Sequence, residues 1–187
     1  MKKLWGVLLV AYLLGVLSGW AVESYHSSQV LTDELEHSDV SCIREETSMH
    51  LQDLKFHTGT ALKALEGGST VEFNLSMVEV ERDLFRLYND LASSTRYLYP
   101  ELPPAGEEIA NLTDPSPCIE FVRSSREAVL KGESNIPAVE DGLSLINSFA
   151  VEWLGKKTYP SREFIEVHKR LQEGCELLVP KIKNARE

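Results

Sequence analysis

Residues 69–98 read STVEFNLSMVEVERDLFRLYNDLASSTRYL. Within them Phe73, Met77, Val80, Leu84, Leu87 and Leu91 follow one another at intervals of 4, 3, 4, 3 and 4, and Ser94 and Leu98 extend the series. A half-buried strand would alternate with period two. A repeat near 3.5 residues instead keeps one narrow apolar stripe on a helix facing its neighbours. That is the geometry of helices lying side by side, crossing at about 20°. Ser69 and Glu72 form a capping box at the start, and Pro100 ends the helix near Tyr97.

The same grammar extends in both directions. Upstream, a first helix is expected from about Gln29 to Glu66, closed by Gly67 and Gly68, which suit a left-handed C-terminal cap. Downstream, Pro100 to Pro117 is a proline-rich linker. Ser116 and Pro117 form a cap and first-turn pair for a third helix to Lys131, stopped by Gly132. Asn135 caps a fourth, Ile136 to Leu154, closed by Gly155. Pro160 opens a fifth, which Pro180 kinks or ends. Val139, Leu143, Ile146, Ala150 and Trp153 repeat the seam in the fourth helix, as do Phe164, His168, Leu171, Cys175 and Leu178 in the fifth. The expected fold is all-α: a membrane-tethered antiparallel bundle of about five long helices.

The tether is the opening segment. Lys2 and Lys3 precede an uncharged run from Leu4 to Val22, which as a helix spans about 28 Å, close to a hydrocarbon core. Trp5, Trp20 and Tyr25 stand where interfacial rings favour a bilayer. Residues 1–22 thus read as a transmembrane anchor, with a signal peptide cleaved after Ala21 as the competing reading. No Lys or Arg occurs between Glu23 and Cys42, so the positive-inside bias places the N-terminus in the cytoplasm. Residues 23–187 become an extracytoplasmic domain, membrane-anchored or, if cut, secreted.

The whole chain carries formal charge −10 and its first 22 residues carry +2, leaving −12 on the body. Such a surface repels phosphate backbones, which argues against nucleic acid as a partner. Cys42, Cys118 and Cys175 would lie in a compartment that permits oxidation. One disulfide plus one remaining thiol is expected, with three possible pairings; three buried reduced thiols are the alternative.

The first helix departs from the apolar pattern. Its seam reads Val40, Ile43, Thr47, His50, Leu54, His57, Ala61 and Ala64, and His168 occupies a seam position of the fifth helix. Imidazoles in a bundle core can hold a metal or haem, so His50, His57 and His168 are the metal candidates. Against this, His50 and His57 stand about 10.5 Å apart along the helix, and buried histidines more often serve packing. No cofactor is assigned. Asn74-Leu75-Ser76 and Asn111-Leu112-Thr113 match the glycan acceptor pattern.

No motif pairs a nucleophile with a base, so no catalytic residue is assigned and an enzyme is not expected. The leading expectation is a non-enzymatic interaction or structural module that binds a protein partner or a second copy of itself. The alternatives are a small-ligand sensor working through a membrane partner, since only three residues precede the apolar run, and a metal- or haem-binding bundle.

Overall fold

The computed structural model describes residues 41–98, 114–132, 135–156 and 161–183. These form five helices and, among the described residues, no strand. We label them α1 (41–66), α2 (Thr70–Leu98), α3 (Ser116–Lys131), α4 (Ile136–Lys156) and α5 (Arg162–Lys183). No described helix is long and apolar enough to cross a membrane. The opening segment, the expected start of α1, residues 100–113 of the linker and the second acceptor asparagine, Asn111, lie outside the described residues.

The α2 seam is the centre of the core: Phe73, Met77, Val80, Leu84, Leu87 and Leu91 are each at most 1% exposed. The α4 seam, Val139 to Trp153, is completely buried, as are Phe164, His168 and Cys175 of α5. Burying apolar surface at about 25 cal/mol per Å² makes these stripes the main stabilising force. Cross-helix contacts fix the directions. His50 meets Asp90 while His57 meets Asp83, so α1 and α2 are antiparallel. Arg123 and Arg126 of α3 pair with Glu81 of α2. Trp153 packs on Phe164, and Phe149 on both Phe164 and His168, which makes α4 and α5 antiparallel. The Cys118–Cys175 disulfide joins α3 to α5. Thr58 Oγ1 of α1 lies 3.0 Å from Asn147 Oδ1 of α4 and 2.7 Å from its own Leu54 carbonyl oxygen, so the single proton of this buried hydroxyl has an acceptor within reach on both sides.

Helix ends show where local signals decide and where packing overrides them. Gly68 (φ 68°) ends α1 in a Schellman motif: Ser69 N–H reaches Ala64 O and Gly68 N–H reaches Leu65 O. Gly132 (φ 69°) ends α3 in the same left-handed conformation. At the start of α3 the expected cap is displaced by one residue. Ser116 is the first helical residue and Pro115 precedes it. The orphan amides are satisfied from elsewhere: Ser116 N–H by Asp114 Oδ1 at 2.9 Å, and Cys118 N–H by Gln172 Oε1 of α5 at 3.0 Å. At the start of α5 the cap is Ser161, whose Oγ accepts from Phe164 N–H.

Gly155, expected to close its helix, does not, and Pro180, expected to kink or end its helix, does not end it. Gly155 lies inside α4, which continues to Lys156 because that ammonium sits 4.4 Å from the Trp153 ring centroid and pairs with Glu152 and Glu163. Pro180 lies inside α5. Only its last turn follows, and buried Ile182 holds that turn on the core. Asn135 ties the start of α4 to the end of α5 by donating to the Lys181 carbonyl.

Gly142 sets the α3–α4 approach. A Cβ placed there would lie 2.1 Å from the fully buried Phe121 ring, whereas one on Gly174 would meet only the mobile end of half-exposed Leu145, at 2.6 Å. Gly142→Ala is therefore expected to destabilise by about 2 kcal/mol despite alanine's higher helix propensity. Gly174→Ala should be close to neutral. Paired urea unfolding curves of the two variants check this.

Candidate functional site

The polar side chains of the α1–α2 contact form two matched pairs. His50 and His57 are one heptad apart on α1, and Asp90 and Asp83 are one heptad apart on α2. Because the helices run in opposite directions, each histidine meets one aspartate. His50 Nδ1 lies 2.7 Å from Asp90 Oδ2, and His57 Nδ1 lies 2.6 Å from Asp83 Oδ2. An ionised carboxylate only accepts, so each Nδ1–H is the donor.

Burial sets the electrostatics. The Asp83 side chain is fully buried and Asp90 is 7% exposed; their histidines are 20% and 12% exposed. Desolvation raises both carboxyl pKa values above 3.8, and the facing imidazoles partly offset that rise. Arg86 adds a more distant positive charge, 3.7 Å from Asp83 Oδ1 and 3.9 Å from Asp53. A carboxylate holding Nδ1–H is also how proteins orient a histidine whose Nε2 binds a metal or takes a proton. Here the two imidazoles serve separate aspartates, a heptad apart. No group of three or more His, Cys, Asp or Glu side chains among the described residues is placed to hold a metal ion.

His168 is elsewhere, sealed between α4 and α5. The Gln172 carboxamide is oriented by the Cys118 N–H it accepts, so its Nε2 donates to His168 Nε2 at 3.1 Å. The proton must then sit on His168 Nδ1, a buried atom with no hydrogen-bond partner among the described residues. Burial pushes the pKa from 6.5 down to about 4, against a weak upward pull from Asp114. The structure thus brings His50 and His57 to one helix face, each on its own aspartate, and leaves His168 apart from them.

Of the cysteines, Cys118 and Cys175 form the disulfide and are fully buried. Cys42 is exposed, and its thiol donates to Glu46. Asn74 lies inside α2 with its Oδ1 accepting from Arg126 Nε at 3.2 Å, so the first glycan acceptor is part of the packed helix.

An open groove of about 370 Å³ is lined by Gln52, Lys55, Phe56, Lys63 and Leu154, among others. The outer side of α2 carries Val71, Leu75, Val78 and Phe85, which are 73, 64, 43 and 43% exposed. The aspartates were the residues sequence reasoning missed. Their signal was present, since two acids one heptad apart on α2 match two histidines one heptad apart on α1.

His57→Leu leaves the buried Asp83 carboxylate without its donor, and a loss of about 2 kcal/mol is expected. Replacing both His57 and Asp83 by leucine should recover most of it. A double-mutant cycle by thermal unfolding measures the coupling.

No family model matches this chain, and neither a curated protein nor a solved structure matches it.

Proposed function

We propose that this chain is a non-enzymatic interaction module, a helical bundle held by its N-terminal segment on the outer face of a membrane and engaging a protein through the outer side of α2. The carrying observation is that Val71, Leu75, Val78 and Phe85 are exposed on α2. With Arg82 between them they repeat the 4, 3, 4, 3 spacing of the seam buried on its opposite side. Single exposed apolar residues are ordinary, but a ladder of them in seam register is the pattern of a helix with a second packing face. The Cys118–Cys175 bond supports an oxidising location.

The test is crosslinking in intact membranes, combined with a reporter fused to the C-terminus. The reading expects an extracytoplasmic reporter and a crosslinked species lost on Val78→Lys. A cytosolic reporter, or crosslinking indifferent to that substitution, would end it. The small-ligand reading finds its own support in the groove near Lys55 and Lys63, whose ammonium groups beside Phe56 and Leu154 suit an apolar carboxylic acid. A rise in melting temperature with medium-chain fatty acids, absent in a Lys55→Glu/Lys63→Glu chain, would favour that reading instead.

A further inference from the structure

We infer that the partner of the α2 outer stripe is a second copy of this chain, docked with the two α2 helices antiparallel; this rests on the interaction-module reading and specifies its partner. The stripe is complementary to itself. Positions 75 and 85 lie five residues on either side of position 80, and positions 78 and 82 lie two on either side. A twofold axis crossing α2 at the level of residue 80 therefore sets Leu75 against the second copy's Phe85. It also sets Val78 against the aliphatic stem of the second copy's Arg82. Each match occurs twice, as an isologous interface requires, along about 15 Å of helix.

Charge selects this direction. Arg82 is the only charged residue in the stripe between Val71 and Phe85, and within one copy it pairs with Glu79. In the antiparallel arrangement Glu79 of each copy also lies beside Arg82 of the other, so the surface supplies its own counter-charge. A parallel arrangement would stack Arg82 on Arg82, placing like charges face to face in an apolar seam. Leu75, Val78 and Phe85 are all exposed and stand outside the buried core. The opposite side of α2 is fully committed to the core through Phe73, Met77, Val80 and Leu84.

The experiment is the mass of the full chain in mild detergent, measured by light scattering over a range of concentrations. A dimer is expected, with Val78→Lys weakening it at least tenfold. Glu79→Arg and Arg82→Glu should each give a monomer, because each leaves like charges across the axis. An equimolar mixture of those two chains should restore a dimer, because both cross-axis contacts are then opposite in sign. Helical circular dichroism unchanged in all three variants guards against misfolding. A wild-type chain that stays monomeric throughout, or a mixture that restores nothing, would overturn the proposal. If the chain is monomeric yet Val78→Lys still removes a crosslink to a different membrane protein, the self-association fails and the wider reading stands. If that crosslink is also indifferent to the substitution, both fail.

Discussion

Replacing Cys118 and Cys175 by alanine together is expected to lower the unfolding free energy by about 4 kcal/mol, the largest effect among the changes considered. The bond spans a sequence separation of 57 residues. Closing a loop of that size removes conformational freedom from the unfolded chain, and the chain-entropy relation puts its worth at roughly 4 kcal/mol. Both cysteines are fully buried, so most of the substituted volume is refilled by a methyl group and neighbouring side chains. In urea the midpoint should fall. The slope should rise slightly, because an unfolded chain without the loop exposes more surface. Reductant added to the wild-type protein should reproduce the shift slowly, since the sulfurs are reached only when the helices part. Reductant should leave the double variant unchanged. A midpoint that hardly moves in the double variant would mean that the α3–α5 contact, not the loop, supplies the stability.

Acid is expected to weaken the fold through His168. Its folded pKa is about 4 against an ordinary 6.5. A base whose pKa is depressed on folding contributes stability above its unfolded pKa. That contribution is lost as the pH falls towards the folded value. The window is therefore pH 6.5 to 4, and a separation of about 2.5 units corresponds to about 3 kcal/mol over the whole window. The physical cause is burial: an imidazolium at this site would be a desolvated charge, with Gln172 as its hydrogen-bond partner and Asp114 offsetting only part of the cost. Asp83 and Asp90 act with the opposite sign. Their raised pKa values mean that the neutral acid suits the folded state better, so their contribution is present below 3.8 and fades as the pH rises through the folded values. Unfolding curves between pH 7.5 and 4.5 should show a marked fall for the wild-type chain. A His168→Leu chain should lose much less over the same interval. Equal slopes in the two proteins would refute the assignment to this residue.

Much of the architecture was legible because the seams are long and regular. Six α2 positions spaced 4 and 3 apart leave little room for any element but a packed helix, and all six are buried. Gly68 and Gly132 were legible too, since a left-handed backbone is a local demand that glycine meets. What failed to show was whatever depends on a distant neighbour. Gly155 looked like a terminator and Pro180 like a kink or an end, yet Lys156 packs over Trp153 and buried Ile182 lies beyond Pro180, in helices that continue past both. Ser116 looked like a cap, but the Cys118 amide is met by Gln172 from another helix. Three cysteines offered three pairings, and only the α3–α5 contact chooses among them. Asp83 and Asp90 were hidden for a different reason. A single helix read alone shows two ordinary acids, and only superposing the antiparallel neighbour reveals that each has an imidazole waiting.

The ring closed by Cys118 and Cys175 has a mechanical consequence. All of α4, together with both of its connections, lies inside that ring. Tension applied at the two chain ends passes straight across the sulfur bridge and bypasses the enclosed residues. At roughly 3.5 Å per extended residue, about 200 Å of contour is withheld from stretching. A single molecule pulled in an oxidising buffer should thus reach its limit that much sooner than one pulled after reduction, with α4 left slack in the untensioned loop.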